Sequence, residues 1–450
     1  MIYCGDDILY QAIADYIQHN RYDILIVNKG YFDLYYPFTY SVDSLGHTTS
    51  VLTIPSSEDV EAAISSSMTE FTKSNNILEN SFKVNMQVSS GTFSIGNCIA
   101  SELQFSTLED EYWLRKGTEI QVFYIVNYLS QDYYVAAGAY VVDEISHSKG
   151  NHHYICYDYM QKFDDLFLED SDIYNYMSNN SVYNTQKVKG FFMWLNNKGY
   201  PVESSGNLYL MVDSNFYKNN ITPVTIGGIT YYDNWLSETN IGSWFDYTMN
   251  QTGIKYTIRD ILSIIGKMYG INFLMDERGF LSHTFMYKYR TGDVYITQNN
   301  ALSYSLGMGI TLKGYRFFNK KNEYVGKTGD GASGYAIITT SNRVKDTSDI
   351  NQIYGFDSTY IGVYNTGAYS SETIYDISCT ILGNALIQAG DKLAINVEGT
   401  IKYGYITEIT NVAFGSTTIT CRVDVKKYDI TQTKYTQFSD SQYNEIINMQ

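Results

Sequence analysis

A run of alternating apolar and polar residues between 81 and 167 constrains the fold of this chain more than any other feature. This alternation is the period of a strand with one buried face. Gly138 interrupts one of the strands, where a bulge or bend is expected, and a helix-like segment, Tyr159–Phe163, follows the last. The predicted strands cover Phe82–Val88, Ile99–Phe105, Ile120–Val126, Tyr133–Ile145 and Tyr154–Asp158. Short strands at this spacing favour a small antiparallel barrel or sandwich.

The composition agrees with a β-rich chain that has well-packed cores. Tyrosine is unusually common, with 45 residues, and proline is rare, with 4. A tyrosine ring suits a half-buried sheet surface, because the ring is apolar and its tip is polar. The 450 residues are enough for about three domains. Hydrophobic residues make up 44% of them, which supports packed cores and excludes a disordered chain.

Helical and strand patterns alternate in the N-terminal residues 1–76, which are predicted to form a separate α+β module. Its first helix begins after the possible caps Asp6 and Asp7, and its apolar residues fall at helical spacing, namely Ile8, Leu9, Ala12, Ile13, Tyr16 and Ile17. Strands are predicted at 22–27 and 50–54, and a second helix at 58–68. The polar stretch 73–76 ends the module.

The second half of the chain contains a mixed α-β-hairpin unit and then returns to strands. Thr257 caps a helix with an apolar face, Gly270 ends it, and Asp276–Gly279 joins two strands at 271–275 and 280–285. Further predictions are a helix at 187–198, a hairpin turn at 227–228, strands at 310–318 and 335–340 that pair across a glycine-containing loop, strands at 401–407 and 417–425, and a turn at 414–416.

The sequence therefore predicts a mainly β fold with α+β parts. The predicted divisions are an N-terminal module (1–76), a first β-barrel (77–167), a helix with an irregular β insertion (168–255), a central α-β-hairpin unit (256–295), a second β-barrel with a loop insertion (296–428) and a polar tail (429–450).

The charge and the cysteines exclude several classes of site. The formal net charge is −17, so the surface should not hold nucleic acid by neutralising phosphates, although it could let nucleic acid pass without sticking. The 5 cysteines are scattered and no CxxC occurs, which predicts reduced, mostly buried thiols rather than zinc ligands or disulfides. Neither a signal peptide nor a transmembrane helix is predicted.

Three local patterns could carry chemistry, and each has a simpler structural interpretation. His152 and His153 are adjacent on a strand and face opposite sides, so they do not share one metal ion easily. The glycines of 326–334 lack the Gly-Lys-Ser/Thr of a phosphate loop and are interpreted as a hairpin loop. Glu109, Asp110 and Glu111 near Trp113 have the composition of a sugar-cleaving site, but exposed acids are ordinary in a loop. We predict no catalytic, cofactor-binding or metal-binding residue, no cofactor, and no enzymatic activity.

The order of segments along 80–425 resembles that of phage tail and baseplate hub proteins. No single motif is diagnostic, and the resemblance lies in the whole series. It consists of Phe93–Asn97, Glu102–Phe105, Gly117–Val122, Ala137–Glu144 and Cys156–Phe163 for a first tube-like domain, Tyr256–Leu262 through Leu281 for a central α/β part, and Ala389–Leu393, Tyr403–Thr410 and Thr417–Val423 for a second tube-like domain.

The resemblance implies a structural hub at the distal end of a phage tail or a related contractile device. Each subunit in that family carries two tail-tube-like barrels, so a homotrimer presents six and matches a hexameric tube. The implied partners are the tail tube protein, distal tail or baseplate proteins, a spike or fibre below, and phage DNA or tape measure passing through the channel. The implied location is the virion, after synthesis in the bacterial cytoplasm. Assembly is expected to involve barrel edges and the strands around 117–126 and 390–397.

Two other classes remain open on the sequence alone. The tyrosine and tryptophan content also suits a receptor- or carbohydrate-binding tail protein. The acidic loop at Glu109 and Asp110 leaves a cell-wall glycoside hydrolase as a second alternative.

Overall fold

A computed structural model gives the fold of the chain. The residues that it describes are 8–28, 39–42, 48–51, 62, 71–89, 96–166, 191, 194–195, 222–226, 229–233, 257–269, 271–277, 279, 281–285, 294–297, 301–307, 310–311, 314–318, 324–328, 335–339, 373–397 and 400–424.

Strands dominate these residues, together with two α-helices and short 3₁₀ turns. The helices are α1 (Ile8–Gln18) and α2 (Ile258–Tyr269). The strands are β1 (Asp23–Asn28), β2 (Thr39–Val42), β3 (Thr48–Val51), β4 (Phe71–Lys73), β5 (Lys83–Gln87), β6 (Glu102–Thr107), β7 (Glu119–Tyr128), β8 (Gln131–Ser148), β9 (Asn151–Tyr157), β10 (Thr222–Ile226), β11 (Ile229–Asp233), β12 (Ile271–Met275), β13 (Leu281–Phe285), β14 (Val294–Ile296), β15 (Ala301–Leu306), β16 (Ile310–Thr311), β17 (Gly314–Phe318), β18 (Tyr324–Thr328), β19 (Tyr335–Thr339), β20 (Thr373–Leu382), β21 (Lys392–Val397), β22 (Thr400–Val412) and β23 (Ser416–Asp424). The prediction of a mainly β fold is confirmed.

One large sheet of 14 strands contains most of these elements. Its strand order is β15-β20-β23-β22-β5-β6-β9-β8-β7-β1-β4, and β14, β16 and β21 pair beside this path. The remaining described strands form small separate sheets, namely β2 with β3, β10 with β11, β12 with β13, and β17 with β18 and β19. Every neighbouring pair on the main path is antiparallel.

Alternation in the sequence decides which face of each strand is buried. In β6, Leu103 and Phe105 are fully buried, while Glu102 and Gln104 on the other face are only partly covered. The predicted irregularity at Gly138 is also confirmed, because the register between β7 and β8 shifts there. The extra residue of a bulge bends the strand and increases its twist.

The large sheet contains the same arrangement of strands twice. The first unit (β5–β9) has the order β5-β6-β9-β8-β7, and the second unit (β15 and β20–β23) has the order β15-β20-β23-β22-β21. The last strand of each order follows a glycine with positive φ, Gly117 at 89° and Gly390 at 93°. The Gly117 amide donates to the Val142 carbonyl, and the Gly390 amide donates to the Ile406 carbonyl, at equivalent positions of β8 and β22. The two units therefore share connectivity and detail, whereas closure of either into a barrel stays a prediction.

Each unit has its own apolar core. The core of the first unit includes Phe105, Tyr154 and Cys156, and it also takes in Ile13 and Ile17 of α1. The core of the second unit includes Ile377, Cys379, Leu393, Ile406 and Cys421. A third, smaller apolar cluster lies on the other face of β1, β7 and the first part of β8, and it consists of Leu25, Val27, Phe123, Ile125, Tyr134 and Ala136. The described part of the chain therefore buries apolar surface in several places, as expected for its length.

The predicted α-β-hairpin unit is confirmed as α2, β12 and β13. Asp260 lies in the first turn of α2, where the helix dipole favours an anion, and Thr257 Oγ1 accepts from the Asp260 amide at 3.1 Å. The unit is held to the first five-stranded unit by the buried Asn272. Its Oδ1 accepts from the Asn97 amide at 3.0 Å, and its Nδ2 donates to the Val88 carbonyl.

The predicted pairing of 310–318 with 335–340 is correct in part. β17 does pair with β19, but the two are parallel, and β18 lies antiparallel on the other side of β17. Gly326 is therefore in a strand rather than in the expected loop. Ile310 and Thr311 pair with β20 instead.

The other predictions fall into two groups. The predicted first helix is confirmed as α1, the strand predicted at 22–27 is confirmed as β1, and the predicted turn at Phe414 is confirmed. The predicted turn residues 227–228 lie outside the described residues, and β10 and β11 on either side of them pair antiparallel. Most of the second N-terminal helix (58–68), most of the helix at 187–198 and the polar tail (429–450) lie outside the described residues, and the division of the chain into six predicted parts stays a prediction.

Asp158 gives the fold a pH-dependent contribution to stability. Its Oδ2 accepts from the Ser101 amide at 2.8 Å and its Oδ1 from the Met160 amide at 3.0 Å, so it caps the 3₁₀ helix Tyr159–Asp164. Burial raises the pKa of Asp158 to about 6, although both amides and Arg259 favour the ionised form.

We expect the stability contributed by Asp158 to decrease as the pH rises from about 4 to about 6. The folded state binds the proton more tightly than the unfolded state, whose pKa is near 3.8, so raising the pH favours unfolding in this interval. Asp158→Asn should remove this pH dependence and lower the free energy of unfolding by about 1–3 kcal/mol, because an amide cannot accept from both backbone N–H groups.

Urea unfolding at several pH values between 4 and 7 measures both effects. Asp165→Asn is the matched control, because Asp165 is exposed and ends the same 3₁₀ helix. An Asp158→Asn variant with the same pH dependence as the control would contradict the assignment.

Candidate functional site: the polar face of the large sheet

The face of the large sheet opposite the two cores is the candidate functional site. It runs without interruption over β20, β23, β22, β5, β6, β9 and β8, and we call it the polar face. Its members are those strand residues that alternate with the core residues, namely Asp376, Ser378, Thr380, Leu382, Thr418, Thr420, Arg422, Glu408, Thr410, Val412, Lys83, Asn85, Gln87, Glu102, Gln104, Ser106, His153, Ile155, Tyr157, Glu144, Ser146 and Ser148.

A hydrogen-bonded network on the polar face joins the two five-stranded units. Thr410 Oγ1 donates to Asn85 Oδ1 at 2.9 Å, and Asn85 Nδ2 donates to Glu102 Oε1 at 2.9 Å. Glu102 also accepts from Gln104 Nε2 at 2.6 Å and from the Tyr157 hydroxyl at 3.2 Å. The network crosses β22, β5, β6 and β9, so it continues over the boundary between the units. Because the carboxylate accepts from three side chains, it holds this part of the face in one arrangement.

The network also changes the titration of Tyr157. Desolvation raises the pKa of its hydroxyl, and the charge of Glu102, which accepts the hydroxyl hydrogen bond, raises it further. Negative Glu102 disfavours a second negative charge beside it.

Charge on the polar face has the sign of the whole chain. Among the described members, the acids are Asp376, Glu408, Glu102 and Glu144, and the bases are Arg422 and Lys83. Arg422 is itself paired, with its Nε 3.0 Å from Asp376 Oδ1. Acids therefore outnumber bases, and the amides of Asn85 and Gln104 donate within the network. Such a surface offers little to bind a phosphate backbone.

The adjacent histidines His152 and His153 contact different partners. His153 Nδ1 is 3.0 Å from Ser106 Oγ on the polar face, whereas His152 Nδ1 is 2.7 Å from His147 Nδ1 across the β8–β9 pair. Within the part of the chain that the structure describes, no group of three or more His, Cys, Asp or Glu side chains could hold a metal ion.

The acidic loop before β7 has structural contacts. Glu111 Oε2 accepts from Trp113 Nε1 at 3.0 Å, and Glu111 Oε1 accepts from Asn76 Nδ2. Asp110 Oδ1 lies 3.7 Å from Arg115 Nη1 and 3.8 Å from His152 Nδ1. These contacts anchor the loop and its buried tryptophan.

The cysteines that the structure describes agree with the prediction of buried thiols. Cys98, Cys156, Cys379 and Cys421 are free and buried, as predicted, and Cys4 lies outside the described residues. Burial raises the pKa of the Cys379 thiol to about 12.

No described helix is long and apolar enough to cross a membrane.

The sequence predicted most strands of the polar face, but it predicted neither β20 nor the hydrogen-bonded network. The alternation of Lys83, Asn85 and Gln87 against apolar residues indicates that they share a face. That Asn85 lies opposite Glu102 depends on the register of β5 and β6, which the local pattern does not give. That Thr410 lies opposite Asn85 depends on strand pairing between residues that are 325 positions apart in the sequence.

We expect Glu102→Gln to lower the pKa of Tyr157 toward the ordinary value for tyrosine, because it removes the neighbouring negative charge. Tyrosine ¹³C NMR over a pH series measures this change, with the Tyr157 resonance assigned by Tyr157→Phe. Glu109→Gln is the control, because Glu109 is exposed and lies in the loop before β7. Equal Tyr157 titrations in the two variants would contradict the network.

Comparisons with known proteins find similarity only at the level of structure. Models of known protein families give no match, and neither do curated protein sequences. The chain is similar to the prophage MuSo2 43 kDa tail protein from Shewanella oneidensis, with 12% identity and a TM-score of 0.41 over 89% of this chain and 97% of that one. It is also similar to a tail protein from Neisseria meningitidis MC58, with 9% identity and a TM-score of 0.41 over 77% and 92% of the two chains.

A third solved structure with this similarity is the prophage tail protein gp18 from Listeria monocytogenes EGD-e, with 10% identity and a TM-score of 0.38 over 95% of this chain and 99% of that one. All three are described as tail proteins, and two of them come from prophages.

Proposed function

We propose that this chain is a structural hub at the distal end of a phage tail or a phage-like contractile device, and that it has no enzymatic activity. Three copies form a ring that adapts the hexameric tail tube to the tip or spike. The observation that carries the proposal is the repeated five-stranded arrangement, because three chains with two such units each supply six. A closed ring of this kind is built from repeated heterologous contacts.

The polar face is proposed as the wall of the channel. It is continuous across both units, it carries more acids than bases, and its amides are hydrogen-bonded within the face. DNA that moves past such a wall meets like charge and few free donors, and therefore does not adsorb. The proposed partners are the tube protein, the distal tail or baseplate proteins, the spike or fibre below, and the passing DNA or tape measure. The proposed location is the virion.

Measuring the mass of the purified chain, with and without the tail tube protein of the same phage, tests the ring. We expect a species of three times the 51.3 kDa chain mass, formed alone or on addition of the tube protein. A chain that stays monomeric in both conditions and binds a glycan on an array would indicate a receptor- or carbohydrate-binding protein instead. Loss of turbidity of bacterial cells, abolished by Asp110→Asn, would indicate a cell-wall glycoside hydrolase.

DNA retention by the assembled ring tests the channel wall. We expect the unmodified ring to hold no DNA, and a ring with Glu102→Lys, Glu144→Lys and Glu408→Lys to hold linear duplex DNA in a salt-dependent manner, because these changes make the wall basic. Closed circular DNA cannot thread a ring and should not be held.

The matched control carries three lysines at acids that lie outside the polar face, Glu79, Glu109 and Asp165. Retention of circular DNA equal to that of linear DNA, or equal retention by the control ring, would show that the polar face does not line the channel.

A further inference from the structure

The two five-stranded units can be aligned residue by residue, because both carry a bulge at the same place. The register between β8 and β9 shifts between Val142 and Glu144, and the register between β22 and β23 shifts between Ile406 and Glu408. Following the cross-strand pairs from these bulges gives two matched rows of residues. They are Val142–Cys156–Leu103–Val84 in the first unit and Ile406–Cys421–Ile377–Leu306 in the second.

Within the chain, the second unit joins the first through β22 and β5. The first part of β22, Thr400–Tyr405, pairs with β21, and its last part pairs antiparallel with β5. The opposed residues at this junction are Glu408 and Gln87, Ile409 and Met86, Thr410 and Asn85, Asn411 and Val84, and Val412 and Lys83. The turn that follows β22 is also bound, since the Ala413 amide donates to the Phe82 carbonyl at 3.0 Å.

The strand that corresponds to β22 is β8, and the strand that corresponds to β5 is β15. Within the described residues, the end of β8 and the whole of β15 each have a strand on one side only. β7 pairs with β8 as far as Val141, and Gly117 and Thr118 bond Val142, so 143–148 have a described neighbour only in β9. In the described part of the chain β15 pairs only with β20 and forms one end of the large sheet. Unpaired edges with free backbone N–H and C=O groups are ready to pair with another chain.

Apolar side chains at matched positions are covered in the first unit and uncovered in the second. Phe82 and Val84, beside the junction, are 3% and 7% exposed, whereas the matched Tyr304 and Leu306 of β15 are 41% and 43% exposed. Leu302, at the irregularity near the start of β15, is 59% exposed. A row of large apolar residues along an open sheet edge is unfavourable in water unless another surface covers it.

We infer that β15 of one chain pairs antiparallel with the end of β8 of a second copy, in the register of the β22–β5 junction. This places Ser146 opposite Gly307, His147 opposite Leu306, and Ser148 opposite Ser305 of the neighbouring copy. The pairing extends the sheet and the polar face from one chain to the next, and covers Tyr304 and Leu306. The inference deepens the proposed function and rests on its ring, since the same contact repeated three times closes it.

Assembly was expected to use the strands around 117–126 and 390–397, but these strands are already paired within the chain. β7 has β8 on one side and β1 on the other, and β21 has β22 on one side and β14 on the other. Strands that are paired on both sides offer no free edge. Among the strands of the two five-stranded units, the edges that are open in the described part of the chain are β15 and residues 143–148 of β8.

Disulfide trapping with Ser148→Cys and Ser305→Cys in the full chain tests the pairing. Opposed residues of an antiparallel pair have Cα atoms about 4.5–5.5 Å apart, which a disulfide can bridge. Within one chain these positions lie on strands separated by six others, about 34 Å, so a bond between them must join two copies. We expect mild oxidation to give covalent dimers and trimers that reducing agent reverses.

The control variant is misregistered, with Ser146→Cys and Ser303→Cys on the same two strands. Its cysteines would be four residues out of register, about 13 Å apart, and should cross-link at least tenfold less. Each single-cysteine variant controls for the native thiols, of which the described ones are buried.

The outcomes separate this inference from the proposed function. Selective cross-linking of the registered pair, together with a trimer by mass, supports both. A trimer by mass whose registered pair cross-links no better than the control overturns the strand pairing and leaves the hub in place. A chain that remains monomeric with and without the tube protein, and gives no covalent oligomer above the control, overturns both.

Discussion

The structure depends on how the edges of an open β-sheet are paired. Each strand at an edge leaves a row of backbone N–H and C=O groups without partners. At one place in this chain, two such edges pair with each other. There, the last part of β22 pairs with β5 and joins two five-stranded units into one sheet. The Thr410–Asn85–Glu102 hydrogen bonds run over the same boundary. The junction thus supplies both continuity of the backbone and continuity of the polar face.

The same constraint explains why the sheet has two different faces. One face packs on two apolar cores. The other face is polar from β20 to the end of β8, with more acids than bases and with its amides hydrogen-bonded within the face, and it carries a small apolar cluster over β1, β7 and the first part of β8. Within the described residues, the two five-stranded units leave open edges at β15 and at the end of β8. The units are alike enough for the internal junction to serve as a template for the contact between copies. The proposed channel wall and the proposed contact between copies therefore both follow from one repeated geometry.

Much of the fold could be predicted from local sequence, and the rest required long-range pairing. Alternation placed β5 to β9, and the apolar face with its flanking Thr257 placed α2. The direction of β17 against β19, and the position of Gly326 in a strand, could not be predicted, because glycine content suggests a loop and carries no information on pairing. The same is true of the candidate site. Composition predicted an acidic chain, but Glu102 contacts Asn85, Gln104 and Tyr157 only when the three strands β5, β6 and β9 pair in the correct register.

The most direct test of the central claim is an electron cryomicroscopy reconstruction of the chain assembled with the tail tube protein. The account predicts three copies around one axis, with six five-stranded units and with the face that carries Glu102 and Glu408 turned toward the channel. Strands β15 and β8 of neighbouring copies would lie side by side. A reconstruction in which the polar face is turned outward, or in which β15 and the end of β8 contact no other copy, would contradict it.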